Sequence, residues 1–325
     1  MKVLIVKLGA LGDVIQATPL IRAIQAAHPG DEVHLLTTPA FQEIFDPWPG
    51  LAPTYFPRQG LRVTWRTIRW LRRQRFARVY DLQSNDRTTL LLAWSGIPER
   101  IGNHPRFPYT HHPATPDRGQ CHNFARYRQV LASAGIQETA ERPWLPSLPD
   151  LAATVRQWLT AHGLAEQGFA LFHAGASPRH PHKIWPGYAD LAIALQARGL
   201  AVVLVGAAAD AAANARIAAA TGAIDASGAF GIPALAELGR HARFAVTNDS
   251  GPMHVLSASG RPIFAFFGAT NWRRCHALGQ EAHVCNYERF CAEAGRDPQG
   301  IGGAEGLKHL SAAEILARIE GFGLL

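Results

Sequence analysis

Short β-branched runs alternate with segments whose apolar residues recur every three or four positions, and the alternation persists along most of the chain. Residues 3–6 read as a buried strand, 13–27 as a helix and 32–36 as a second strand. A helix over 64–75 follows, with Leu61, Trp65, Ile68 and Leu71 on one stripe, so Trp65 is expected to pack inward. Residues 79–82 predict another strand and 121–134 another helix. Strands and helices in strict alternation imply a parallel sheet covered on both faces.

The segment 142–150, Arg-Pro-Trp-Leu-Pro-Ser-Leu-Pro-Asp, interrupts the pattern with three prolines. Prolines stiffen a chain and break helices and ladders, which makes this segment the linker. Beyond it the alternation restarts, with strands at 169–172, 201–205 and 244–246 and helices near 188–197, 208–220 and 251–258. A last strand at 262–267 is expected to close the second sheet. The chain thus divides into domains 1–150 and 151–310. It leaves a tail, 311–325, in which Ser311 and Glu314 form a capping-box pattern. That tail helix is free to pack back on the first domain.

Composition narrows the class. An apolar share of 47% and a charged share of 18% over 325 residues are those of a globular chain. No apolar run nears the roughly 20 residues that span a bilayer. The N-terminal run is too short for a signal peptide, so a cytoplasmic location is expected. Four cysteines (Cys121, Cys275, Cys285 and Cys291) do not make a disulfide framework. His283, Cys285 and Cys291 supply half of a zinc pattern, and no second closely spaced pair completes it.

The net charge of +7 is unevenly placed. Between Asp46 and Asp81 there is no acid, while Arg58, Arg62, Arg66, Arg69, Arg72, Arg73, Arg75 and Arg78 follow one another. Like charges at helical spacing repel by about 0.2–0.5 kcal/mol per pair, so an anionic partner is expected nearby. On charge alone that partner is a phosphorylated or carboxylated substrate, an anionic membrane surface or nucleic acid.

Three segments carry candidate chemistry. Lys7-Leu8-Gly9-Ala10-Leu11-Gly12-Asp13 runs from a strand through glycines into a helix. Gly9 and Gly12 allow a sharp turn and close approach of a ligand, but the third glycine of a dinucleotide motif is missing. Asp13 by itself also reads as a carboxylate favoured at a helix start. His173-Ala174-Gly175-Ala176-Ser177 repeats the strand-to-glycine device, and Lys183 follows it with Arg179, His180 and His182 beside it. Cations there suit the charge that develops on a departing diphosphate. Thr247-Asn248-Asp249-Ser250-Gly251-Pro252-Met253-His254 leaves a strand and opens a helix, where free N–H groups favour a diphosphate. No Asp-x-Asp triplet occurs, so the usual metal-binding carboxylates of metal-dependent sugar transferases are missing.

With these segments in place, the chain resembles the heptosyltransferases, family 9 of the glycosyltransferases, which use ADP-heptose to build lipopolysaccharide core. The likeness rests on VLIVKLGALGDVIQATPLIRAI, DLQSNDRTTLLLAWSG, HKIWPGYADLA and VTNDSGPMHVLSASGRPIFAFFG, in the family's order. It implies an α/β chain of GT-B type, with two Rossmann-like doubly wound domains facing a central cleft. The first domain would bind the acceptor and the second the nucleotide sugar.

By the same resemblance Asp13 is the catalytic base, and Lys183 binds the donor phosphates and serves the leaving group. Ser177, Asp249, Ser250, Gly251 and His254 hold the donor, Asp210 holds its ribose and Phe230 packs on the adenine. Gly9, Gly12, Arg58, Arg62 and Arg87 meet an acidic or lipid-linked saccharide acceptor. The reading has no cofactor, no metal and no nucleic acid, and it allows a peripheral contact with an anionic inner membrane. Two other readings stay open: another GT-B nucleotide-sugar enzyme (a different transferase or an epimerase), and a basic module that binds nucleic acid or a membrane surface.

Overall fold

The computed structural model describes residues 1–115 and 119–325, which divide into two compact units, Met1–Pro146 and Ser147–Leu325. The division falls inside the proline-rich segment. Its last proline is not linker: Pro149 opens the helix Pro149–Ala161, where a missing N–H costs nothing because the first turn offers it no partner.

The first unit holds five parallel strands: β1 (Lys2–Val6), β2 (Glu32–Thr37), β3 (Ala52–Tyr55), β4 (Arg78–Asp81) and β5 (Glu99–Ile101), in the order β3-β2-β1-β4-β5. Val3, Leu4, Ile5 and Val6 are all buried, as a central strand covered on both faces requires. β3 reads Ala-Pro-Thr-Tyr and lacks a strand signature; its proline is tolerated at the sheet edge.

The arginine-rich helix spans Leu61–Gln74 and buries Thr67, Ile68 and Leu71. Ile68 and Leu71 join a core with Leu91, Leu92, Phe76 and Val79, and Trp70 packs against it. Trp65, expected to pack inward, is instead exposed, as is Leu61. The apolar stripe is wider than the core surface available to it. Packing on the Thr67 and Leu71 side turns the Leu61 and Trp65 edge to solvent.

The second unit holds six parallel strands: β6 (Phe169–His173), β7 (Ala201–Leu204), β8 (Ile224–Asp225), β9 (Phe244–Asn248), β10 (Ile263–Phe266) and β11 (Val284–Cys285). Their order is β11-β10-β9-β6-β7-β8. The strand expected to close the sheet, β10, is therefore not its edge. The two-residue β11 pairs beyond it, too short for any periodicity to reveal.

The tail is corrected as well. The helix Ala312–Gly321 forms its capping box, with Glu314 N–H donating to Ser311 Oγ at 3.2 Å. Its apolar face goes into the core of the second unit. Ile315, Leu316 and Ile319 share a core with Tyr188, Leu191 and Leu195 of the helix Tyr188–Gln196. Arg198 and Glu320 tie the same two segments at the surface. Residues 315 and 319 lie one turn apart and present a single face, and that face is filled here.

Each sheet reverses its strand order once, between β1 and β4 in the first unit and between β6 and β9 in the second. Ligands of open α/β sheets bind beyond the strand C-termini at such points. The motif segments after β1, β6 and β9 leave from these positions. No helix among the described residues is long and apolar enough to cross a membrane.

The tail helix makes a direct prediction. Ile315 is fully buried, so Ile315→Ala should destabilise the second unit by about 2–5 kcal/mol. Urea unfolding followed by tryptophan fluorescence measures it; a change within error of zero would mean that the helix does not contribute to that core.

Candidate functional site

In the second unit the site is built around Asn248, the fully buried last residue of β9. Its Nδ2 donates to the carbonyls of Ala174 and Gly175, both at 3.0 Å, and its Oδ1 accepts from the Trp185 N–H at 3.0 Å. One amide thereby ties the loop after β6, the segment carrying Lys183 and the turn that follows β9. Leaving such buried groups unpaired costs about 1–3 kcal/mol each.

That tie brings Lys183 to Asp249, whose Oδ2 lies 2.5 Å from Nζ. Both side chains are mostly shielded from solvent. Next in the chain, Ser250 stands before the helix Gly251–Ser257, and its hydroxyl does not cap the first turn. It lies instead 3.2 Å from His173 Nδ1 and donates to the Asn248 carbonyl at 3.2 Å. The other ring nitrogen of His173 is 3.9 Å from Asp210 Oδ2. Burial pushes the His173 pKa down to about 4, against an opposing pull from Asp210. The imidazole is therefore neutral at pH 7, with one nitrogen toward the helix start and the other toward Asp210.

The same oxygen of Asp210, Oδ2, accepts from the Ala207 N–H at 2.9 Å. Its carboxylate lies flat against the backbone of Gly175 and Gly206. A Cβ at Gly175 would come within 2.3 Å of Oδ1, and one at Gly206 within 2.8 Å of the same side chain. The glycine after β6 is thus needed for the approach of Asp210. Sequence reasoning credited it only with a turn.

Lys183, Asp249, Ser250, Gly251 and Asp210 are accordingly gathered at the β6/β9 reversal, with His254 buried one turn into the helix. Two expected donor residues make no hydrogen bond, ion pair or ring contact with them among the described residues. Ser177 is exposed, and its carbonyl accepts from the His180 N–H at 2.7 Å in a turn of its own. Phe230 meets Trp158 edge to face with ring centroids 5.1 Å apart. The reading missed His173 and Asn248. Their positions at the ends of two central strands, paired as neighbours through His173 and Thr247, were the available signal.

In the first unit Asp13 is the third residue of the helix Leu11–Ala27 and is half-buried. No hydrogen bond or ion pair engages its carboxylate among the described residues. Gly9 has φ +130, a conformation that favours glycine, and a Cβ there would stand 3.3 Å from Arg58 Nη1. Arg58 therefore lies against the glycine loop. Arg87 donates to the Pro57 carbonyl at 3.3 Å, and its pKa is lowered by burial and then by the Arg58 charge. The structure thus brings Gly9, Arg58 and Arg87 together, and neither guanidinium pairs with an acid among the described residues. Gly12 is the second residue of the Asp13 helix, while Arg62 is exposed and makes no hydrogen bond or ion pair among the described residues. Lys7, two residues before Gly9, is fully buried, and among the described residues its ammonium donates to uncharged oxygens, the Leu82 carbonyl and the Tyr127 hydroxyl.

Among the described residues no three His, Cys, Asp or Glu side chains gather to hold a metal ion. Cys285 is buried, which pushes its thiol up to about 12.

Residues 64–299 match the model of glycosyltransferase family 9 (heptosyltransferase), and the chain belongs to that family of sugar-transferring enzymes. It is 25% identical over 304 residues to lipopolysaccharide heptosyltransferase 2 of Escherichia coli, covering 87% of each chain. Among solved structures, a family 9 glycosyltransferase from Veillonella parvula superposes with a TM-score of 0.82 at 22% identity, over 98% of this chain and 96% of that one. The ADP-heptose lipopolysaccharide heptosyltransferase II of E. coli superposes with a TM-score of 0.77 at 23% identity, over 99% and 98%. The fold is therefore of the GT-B kind seen in the heptosyltransferases, and each unit contributes one parallel α/β domain.

His173 makes the site pH-sensitive in a defined direction. In the unfolded chain its ring protonates near 6.5, in the folded chain near 4. Between these values the unfolded state binds more protons, so stability rises with pH and falls as pH drops through the window. From pH 7 to pH 5 this one group should remove roughly 2 kcal/mol, at about 1.4 kcal/mol per unit. Urea midpoints at the two pH values should show a correspondingly smaller loss in His173→Gln.

Proposed function

We propose that the protein is an inverting heptosyltransferase that moves a heptose from ADP-heptose to an acidic saccharide acceptor without a metal ion. The observation that carries this reading is the Lys183 ammonium held by Asp249 beside the Ser250–Gly251 helix start. A diphosphate arriving there meets an ammonium, a hydroxyl and the free N–H groups of a first helical turn. Asp249 does not itself take the phosphate, since two anions repel; it positions Lys183. Asp210 is placed to accept from a ribose hydroxyl. ADP-heptose, for which the E. coli structural relative is named, carries both a diphosphate and a ribose.

Transfer is then a single displacement. Asp13 takes the proton of an acceptor hydroxyl, the oxygen attacks the anomeric carbon from the face opposite the nucleotide, and the carbon–oxygen bond to the β-phosphate breaks. The electron pair leaves with ADP, whose added charge Lys183 and the helix start offset. One attack from the opposite face inverts the anomeric centre. The unpaired carboxylate of Asp13 suits a general base, and Lys183 supplies the charge that a metal ion provides in metal-dependent transferases. Arg58 and Arg87, close together and without an acid, suit the carboxylates or phosphates of an acceptor. We place that acceptor in the lipopolysaccharide core, lipid-linked at the cytoplasmic face of the inner membrane. The lipopolysaccharide named for the E. coli relative supports this placement.

Two measurements test the reading. Asp13→Ala should lower the transfer rate by about 10²–10⁴ while leaving ADP affinity unchanged in titration calorimetry; an active variant would remove Asp13 as the base. Lys183→Ala should weaken ADP binding by roughly ten- to a hundredfold, the worth of a charge-assisted hydrogen bond. Unchanged affinity would place the diphosphate elsewhere.

A further inference from the structure

We infer that the helices Leu61–Gln74 and Asp86–Ala93 form a docking face for an anionic lipid bilayer. The two helices run side by side in the first unit. Arg87 at the start of one reaches the Pro57 carbonyl ahead of the other, and Arg72 Nε donates to the Trp94 carbonyl at 2.8 Å where both end. Their buried faces share one core, through Ile68 and Leu71 on the first and Leu91 and Leu92 on the second.

What they turn outward is unusual for a surface. Leu61 is 82% exposed and Trp65 60%; Leu90 is 50% exposed and Trp94 52%. Leu61 and Trp65 are an i, i+4 pair on one helix face, and Trp94 follows the second helix directly, four residues after Leu90. At about 100° per residue, Leu61, Trp65 and Arg72 fall within roughly 40° of one another. Arg72 is the residue that touches Trp94, so the apolar pair of the first helix lies on the flank toward the second. Two tryptophans and two leucines thus line the seam between adjacent helices.

The outward face of the Leu61–Gln74 helix, next to that apolar pair, carries Arg62, Arg66, Arg69 and Arg73, all exposed. None has an acidic partner among the described residues, whereas Arg78, further along, pairs with Glu99. An apolar seam edged by guanidinium groups that no acid among the described residues neutralises matches an anionic bilayer surface. Indole rings settle at the headgroup level, leucines enter the acyl boundary and arginines meet lipid phosphates. Single-stranded nucleic acid would use the indoles for stacking but has no use for Leu61 and Leu90. The bilayer is therefore the occupant that uses every exposed group.

This surface rests on the proposed lipid-linked acceptor only for its purpose: it would hold the Arg58 and Arg87 loops at the membrane where such an acceptor lies. The test needs no sugar. The full chain is sedimented with vesicles of phosphatidylcholine, with and without 30% phosphatidylglycerol (about the anionic fraction that gives a marked surface potential). Binding is expected to the anionic vesicles, with a blue shift of tryptophan emission and quenching by brominated lipid. Trp65→Ser with Trp94→Ser should reduce the partition coefficient at least about tenfold, and Arg66→Glu with Arg69→Glu should do the same. The tryptophan variant should keep wild-type transfer to a water-soluble acceptor. Failure of the wild type to bind, equal binding by the variants, or preference for single-stranded DNA over vesicles would overturn the docking face. Transfer to a soluble acceptor would stand in each of those cases. Loss of transfer with vesicle binding intact would instead count against the proposed reaction.

Discussion

Three loops of the second unit meet because one buried amide has a partner for each of them. Asn248 sits at the end of β9 with no access to water, so its donors and acceptor must be satisfied inside the protein. They are satisfied by Ala174 and Gly175 on one loop and Trp185 on another, while its own backbone continues into Asp249 and Ser250. No other side chain of similar size offers two donors and an acceptor in this geometry. The ion pair of Lys183, the orientation of Ser250 and the seat of Asp210 all follow from where these loops are held.

The electrostatic arrangement of the two units differs in a way that fits two substrates. In the second, the cation at the strand ends is already paired, Lys183 with Asp249, and so is positioned before any ligand arrives. Preorganisation of that kind spares the site the reorganisation that weakens charge stabilisation in water. In the first, the Arg58 charge adds to burial in lowering the Arg87 pKa, an arrangement that an anion would favour. Asp13 stands close in sequence to this positive loop yet has no cation bound to it among the described residues, which leaves its lone pairs free for a proton.

Much of this was legible before any coordinates. The strand-to-glycine turns, the octapeptide after β9 and Lys183 could be read because each motif is local and sits at a strand end. What could not be read depended on distance in the chain. His173 touches Ser250 and Asp210, 77 and 37 positions away, and nothing in its own neighbourhood announces that. Gly175 matters because Asp210 folds against it, again a tertiary fact. Trp65 was misread because periodicity identifies an apolar stripe but not how much of it the core can cover. β3 and β11 escaped because edge strands of four and two residues carry too few positions for a period. The tail helix was recognisable by its capping box, but its partner was not, since any apolar face of the right width would have received it.

The central claim is that the diphosphate of the donor lies between Lys183 and the turn after β9. A crystal structure of the protein with ADP tests it most directly. The account predicts the β-phosphate within hydrogen-bond distance of Lys183 Nζ and of the Ser250–Gly251 turn, with the ribose at Asp210. ADP bound away from that turn, with the Lys183–Asp249 pair untouched, would contradict it.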